Sequence, residues 1–410
     1  MLSVNQAQTL ILDLVQPLKD TEIISLDVAA GRILAQPIIS QLDFPYWDNS
    51  AMDGYAVKFK DVQGCTQTQP AILDIVAEIP AGQNPSISIQ SGQTARIFTG
   101  AMLPAGADTI IMQENTQREG NRVKILSSPD QPKAYVRQRG DYYQAGNPLL
   151  KPGIAINAPE IAVLATAQCT QLTVYRRPKV VIFSTGDELI PPNQPLQPGQ
   201  IIDSNQYALA AFVGSQGAIS IPLGIVKDNK EALKKTIAQA IATGDIVLST
   251  GGVSVGEYDY IEEILTELGG NIQIRSVAVT PGKPLTVATF SNGCLYFGIP
   301  GNPVSALVSC WRFVQPALKK LSGLEGNWHP IFIKARSRHD LPSKGARETY
   351  LWGQLLLVNG VYEFELAGGK HSSANLINLA QTNGLAVMPV GQTFLAAGED
   401  VTVMQIDSLK

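Results

Sequence analysis

Histidine and cysteine are scarce, with 3 His and 4 Cys in 410 residues. His329, His339 and His371 all fall late in the chain and form no pair at helical ligand spacing. Cys65, Cys169, Cys294 and Cys310 lie far apart with no C-x-x-C, so a structural zinc site is not expected. Four scattered cysteines in so long a chain also argue against a disulfide framework and point to a reducing compartment. Charge is sparse too, at 16% Asp, Glu, Lys and Arg with a net of −4, too mild to drive binding to nucleic acid or an anionic membrane. No run of about 18 apolar residues is present to predict a membrane span. The N-terminus has no basic n-region and Asp13 interrupts its apolar stretch, so no signal peptide is read and a cytoplasmic location is expected. What the chain does have is 45% hydrophobic residues, enough for a core, and 36 Gly with 26 Pro, which predict many tight loops rather than disorder. At roughly 100–200 residues per domain, the length favours two to four of them.

Organisation follows from the periodicity. From Ser3 to Lys19, Leu10, Ile11, Leu14, Val15 and Leu18 share one helical face, and Ser3 with Gln6 matches a capping box. From about Asp53 to Gly146 the texture changes to short strands and turns, as in ILDIVAEI (72–79), RIFTGA (96–101), DTIIMQE (108–114) and RVKIL (122–126), which predicts a small β domain. Residues 152–174 return to helix-like spacing, and Tyr175-Arg176-Arg177-Pro178 reads as a boundary. From Lys179 to about Leu321 strands and helices alternate as in an α/β layer fold. KVVIFSTGDE (179–188), DIVLSTGG (245–252) and CLYFGIPGNP (294–303) are buried-type strands entering glycine loops, with helices expected at about 205–214, 228–244 and 259–270. Alternating runs at 331–338 and 400–406 predict a terminal β domain.

In an open α/β sheet, ligands sit where loops leave the carboxyl ends of strands. Three loops qualify: STGDE, STGGVSVGEYD and GIPGNPVS. In the third, Asn302 suits an N-cap and Pro303 the first helical position, so the N–H groups of Val304 and Ser305 are expected to be free for an oxyanion. A plain strand-to-helix turn is the competing reading of the same residues. Asp228 with Glu231, Asp259 with Glu262 and Asp203 with Gln206 each fit a capping pattern, whereas Asp187 and Glu188 sit side by side with no cap to form. Carboxylates converging on a phosphate cleft could hold Mg²⁺, a hard cation that bridges substrate phosphates. Cationic and hydroxyl candidates for an anion are Lys283 in TPGKPL, Arg347 in GARETY, Ser372 and Ser373 in GKHSSANL, and Arg137 with Arg139 on one strand face of VRQRGDYYQAG. YWDNSAMDGYAV (46–57) is dense in Asp, Asn and Ser, which an inter-domain turn with Asx bonds would also explain.

Taken together, DNSAMDGYAV, RIFTGAMLPAGAD, RGDYYQAG, STGDEL, GQIIDSN, LSTGGVSVGEYD, TPGKPL, GIPGNPVSA and SSANLINLAQTNGLAVMP run in order from 48 to 389. This series resembles the molybdopterin molybdenumtransferase (MoeA) family, related to the C-terminal domain of gephyrin. Ile299 of GIPGNP, where the family often has Leu, is a conservative departure. The resemblance implies a multi-domain α/β plus β fold: a central adenylyltransferase-like α/β domain with a mostly parallel sheet (178–328), an inserted small β domain (53–146), an extended N-terminal and linker domain for dimerisation (1–52 and 147–177), and a C-terminal β-barrel-like domain (329–410). It implies a transferase that inserts molybdate into adenylylated molybdopterin, with Mg²⁺-dependent cleavage of the adenylate and release of AMP. Expected partners are a second copy in a homodimer and, transiently, molybdopterin adenylyltransferase and apo-molybdoenzymes; nucleic acid and membrane are not expected.

By matching stretches, the implied catalytic residues are Asp53, Thr99, Glu188, Asp228 and Asp259, with Asp187, Glu188 and Asp259 as metal ligands. The substrate and oxyanion set is Lys283, Pro300, Gly301, Asn302, Pro303, Ser305, Arg347, Ser372 and Ser373. The chemistry is coherent, since phosphoanhydride cleavage needs charge neutralisation more than covalent catalysis. Molybdate is a dianion, so lysine, arginine and seryl hydroxyls suit it better than carboxylates. A substrate that brings its own dithiolene sulfurs also explains how a chain so poor in Cys and His could handle a transition metal. Two other readings use parts of the same sequence: an adenylyltransferase or pyrophosphatase acting on another pterin or dinucleotide, and a gephyrin-like non-catalytic scaffold. The β segments argue against the first; the intact acids and the lack of a long proline-rich or charged linker argue against the second.

Overall fold

A computed structural model describes residues 1–251 and 260–406, which places Asp259 outside the described residues. The chain forms two compact units, one of Met1–Gln36, Pro152–Pro159 and Gln171–Lys410, the other of Pro37–Lys151 and Glu160–Thr170. Among the described residues no helix is long and apolar enough to cross a membrane.

The first unit opens with helix Val4–Leu14, whose start is the expected reciprocal capping box of Ser3 and Gln6. Its Val4, Ala7 and Ile11 join a core with Val180, Ile182, Ile246 and Leu248. Those four belong to a six-stranded sheet ordered Ile219–Val226, Lys179–Thr185, Ile246–Thr250, Leu295–Ile299, Pro284–Thr289, Asn271–Ser276. The first four strands run parallel, Pro284–Thr289 runs opposite to them, and Asn271–Ser276 runs opposite to Pro284–Thr289. Successive side chains alternate between faces, so Val181, Phe183 and Val247 pack on the other side with Leu233 and Ile237 of helix Lys230–Thr243 and Ile264 of helix Ile261–Glu267. Two covered faces account for the continuous apolar strands.

A closed five-stranded barrel follows. Glu348–Val358 pairs with both Val361–Leu366 and Gly384–Met388, and the circuit closes through Asp400–Gln405 and Ile331–Ser337. Closure removes the exposed strand edges an open sheet would carry. The segment between Asn271–Ser276 and Pro284–Thr289 joins the barrel through a two-residue parallel pairing of Val279–Thr280 with Glu348 and Thr349.

In the second unit six strands run in the order Thr109–Met112, Gly54–Val57, Gln93–Ile97, Ala71–Ile79, Arg122–Ile125, Thr116–Glu119. Gly54 in MDGY has a steric cause: a Cβ there would stand 1.9 Å from the Ile111 carbonyl oxygen.

Residues 152–174 differ from the helical expectation. Helix Ala158–Thr166 is present, but Gln171–Tyr175 is a strand paired antiparallel with Thr21–Ser25. Its residues Leu172 and Val174 are buried while Gln171 is exposed, an alternation that strand pairing exploits.

Candidate functional site

Because Lys179–Thr185, Ile246–Thr250 and Leu295–Ile299 are parallel, they end on one edge of the sheet. Residues at and just beyond their ends, among them Thr185, Gly251 and Pro300, line one cavity of about 1370 Å³ in the first unit with the TPGKPL turn and the adjoining barrel segments. Of the residues singled out in the sequence, Glu188, Lys283, Pro300, Gly301, Asn302, Pro303, Ser305, Arg347 and Ser373 line it. Ser372 is the neighbour of Ser373 on the same loop.

The acidic side starts at Thr185, a buried strand end whose hydroxyl donates to Asp228 Oδ1 at 2.8 Å. Asp187 Oδ1 accepts the Asp228 backbone N–H at 3.3 Å. The Glu188 carboxylate folds over Gly186, where a Cβ would meet Glu188 Oε2 at 2.7 Å, and Gly186 takes φ +154. Asp228 does not cap the following helix. Asn229 does, its side chain accepting from the N–H groups of Glu231 and Ala232, which leaves Asp228 to Thr185. Asp203 accepts from Gln206 N at 3.2 Å, but the cap of helix Asn205–Ser215 is Ser204, which makes no side-chain capping bond. Among the described residues no three His, Cys, Asp or Glu side chains form a metal cage. Mg²⁺ does not need one, since it commonly takes one or two carboxylates and leaves other positions to water and substrate phosphate. Exposed, hard-oxygen Asp187 and Glu188 fit that donor requirement.

The helix start of GIPGNP is tied down differently from the expectation. Helix Pro303–Ser309 has Pro303 in its first turn and Asn302 at the cap, but Asn302 makes no side-chain capping bond. Its Nδ2 donates to Ser373 Oγ at 3.2 Å instead, and the Val304 N–H donates to the Ser373 carbonyl at 3.2 Å. Val304 is therefore not a free oxyanion donor: the barrel loop has taken it. Opposite, Arg347 Nη1 donates to the Val279 carbonyl at 3.2 Å, which brings the guanidinium beside the turn that carries Lys283. Lysine, arginine and seryl hydroxyls thus share one cavity with Glu188.

Asp53 and Thr99 belong to the second unit. There Thr99 donates its backbone N–H and its hydroxyl to Asp53 Oδ1, both at 2.7 Å. These two bonds, the hydroxyl's first, hold the Asp53 carboxyl below the ordinary carboxylate range. The three early stretches converge around this pair: Gly100 N donates to Ser50 O, Ala51 N to Tyr135 O, and Arg139 N to Asp48 Oδ1. Arg137 and Arg139 do not form one cationic strand face. The strand is only Val136–Arg137, and Arg139 is paired with Asp43 at 2.5 Å.

Three family models cover almost all of the chain: MoeA N-terminal region (domain I and II) over residues 2–167, probable molybdopterin binding domain over 181–320, and MoeA C-terminal region (domain IV) over 334–406. The chain belongs to the MoeA family. A protein named molybdopterin molybdenumtransferase in Nostoc sp. is 58% identical over 98% of this chain and 94% of its own length. The protein of that name in Haemophilus influenzae is 32% identical across the whole of both chains. A crystal structure of a molybdopterin biosynthesis MoeA protein from Pyrococcus horikoshii superposes with a TM-score of 0.84 at 28% identity, covering 99% of this chain and all of that one.

Seen within the MoeA fold, several cavity residues escaped the sequence reading. Asn205 donates to the Gly301 carbonyl at 2.7 Å and so fixes the loop before the helix start. Thr185 orients Asp228, and Trp352 and His371 supply an aromatic wall. Asn205 lies in GQIIDSN, one of the family-like stretches, which was its available signal. Trp352 sits within a plain strand pattern and carried none.

Proposed function

We propose that this chain is a molybdopterin molybdenumtransferase of molybdenum cofactor biosynthesis, taking molybdate and adenylylated molybdopterin as substrates and releasing AMP. The single observation that carries the reading is the shared cavity, with Lys283, Arg347, Ser305 and Ser373 for an oxyanion and Glu188 at the phosphate-handling edge. Cationic and hydroxyl donors suit molybdate, while a carboxylate beside them suits a metal-bridged phosphate. Asp187 and Glu188 would hold Mg²⁺, which would supply neutralisation of the phosphate charge. Thr185 orients Asp228, and Asn205 and Ser373 keep the 301–304 backbone in register for the substrate. Asp53 and Thr99 act in the same reaction as a preorganised carboxylate. This reading carries with it a cytoplasmic homodimer, the four-part domain division set out above, and transient contacts with the enzymes before and after it.

The test supplies adenylylated molybdopterin, molybdate and Mg²⁺, then measures AMP together with transfer of active cofactor to an apo-enzyme. AMP and cofactor formed together support the transferase. AMP without cofactor points to a hydrolase, and neither product from folded protein defeats both enzyme readings.

A further inference from the structure

The segment that carries Ser372 and Ser373 follows barrel strand Val361–Leu366 and has no regular structure until the short turn Ile377–Leu379. Side chains hold it instead. Trp352, itself 2% exposed, donates its indole N–H to Asn378 Oδ1 at 3.0 Å. Asn378 Nδ2 in turn donates to the Gly368 carbonyl at 3.1 Å and lies 3.4 Å from that of Lys370. Asn375 Nδ2 also donates to the Lys370 carbonyl, at 2.9 Å.

His371 completes this brace. Its ring lies 4.3 Å from the Trp352 ring, tilted by 38°, and its Nε2 is 2.7 Å from the Ala367 carbonyl. A carbonyl can only accept, so Nε2 carries the proton. Nδ1 is buried and has no partner, so the imidazole is held by one bond and one aromatic face. Two residues on, Ser373 meets the helix start through its carbonyl and its hydroxyl.

We propose that His371 is a positioning residue for the oxyanion site. Clamped between the Trp352 indole and the Ala367 carbonyl, it sets the register of Ser372 and Ser373 against the Asn302–Pro303 helix start. It thereby determines how tightly the cavity holds a tetrahedral oxyanion. The inference rests on the reading of these serines as oxyanion donors. The physical reason is geometric: a hydroxyl displaced by a fraction of an ångström no longer donates along a good line, and binding weakens without any change in the reacting groups.

The test uses the full chain with His371→Phe, which keeps the ring and loses the donor, and His371→Gln, which keeps a donor at similar reach and loses the ring. Equilibrium dialysis measures molybdate binding, and AMP release measures KM for molybdate and for adenylylated molybdopterin separately. His371→Phe should raise the molybdate Kd and KM about tenfold, the scale of one displaced hydrogen bond, while kcat and the other KM stay within about twofold. His371→Gln should recover part of the loss. The double variant His371→Phe with Ser373→Ala should lose less molybdate affinity than the product of the two single losses, because both act in part through the Ser373 hydroxyl. Wild-type molybdate affinity in His371→Phe, equal changes in both KM values, or losses that multiply in the double variant would each overturn the proposal. A wild-type chain that binds molybdate but releases no AMP defeats the proposed reaction and leaves the dialysis result to judge His371. A wild-type chain that binds no molybdate overturns both.

Discussion

Asp53 shows how a single carboxylate is oriented by a residue distant in sequence. One of its oxygens already accepts two bonds from Thr99, so the carboxylate is oriented and ionised across the neutral range. Removing it should cost activity far more than stability, because the side chain is only half-buried. Asp53→Ala is expected to lower AMP release by about 10–100-fold with an unchanged circular dichroism spectrum. Thr99→Ser, which keeps both donors, should retain most of the rate, and Thr99→Val, which keeps only the backbone donor, should fall between. Only the family-like stretch points to Asp53; composition and periodicity allow an ordinary Asx turn there. The bonds from Thr99, 46 residues away, are a product of strand pairing between Gly54–Val57 and Gln93–Ile97. Asp228 is the mirror case. Local pattern made it a helix cap, yet its neighbour Asn229 makes the capping bonds and frees Asp228 for Thr185.

The strand-end loops carry the site, and their glycines have testable causes. Gly251 ends Ile246–Thr250 with φ +89, and a Cβ there would lie 2.5 Å from the Thr185 carbonyl oxygen. Gly251→Ala should therefore destabilise the chain by about 1–3 kcal/mol and displace the Thr185–Asp228 edge, read as a lower Tm together with a lower kcat. Behind the sheet, helices Lys230–Thr243 and Ile261–Glu267 are clamped by Lys230 to Glu263 and Glu267, and by Lys234 to Glu267. The two lysines, Lys230 first, draw Glu267 down to about 2 from its ordinary 4.5. A carboxyl depressed in the folded state adds stability that is complete above pH 4.5 and fades as pH falls toward about 2. Glu267→Gln should lose less stability than wild type across that window in denaturant titrations, and salt should shrink the difference because the clamp is solvent-exposed. Elements of this kind were legible wherever a face was buried: the capping box at Ser3, the buried strands and the helix at 230–243 all follow from local pattern. Strand Gln171–Tyr175 and the use of the Val304 N–H by Ser373 were not, since each depends on a partner distant in sequence.

At the scale of the molecule, the nine family-like stretches separate by unit. Three gather around Asp53 in the second unit, and the rest serve the first, where most meet at the cavity. The alternating runs of the C-terminal segment form a closed barrel because register, which local pattern does not encode, decides closure. At this scale the cavity gathers lysine, arginine, serine and carboxylate, groups whose chemistry suits an oxyanion and a phosphate. The most direct test of this account incubates the folded chain with adenylylated molybdopterin, molybdate and Mg²⁺ and follows AMP against active cofactor delivered to an apo-enzyme. AMP and cofactor are expected to appear together, depend on molybdate, and fall together in Glu188→Ala and Arg347→Ala. AMP release that ignores molybdate, or cofactor formation unchanged in both variants, would contradict it.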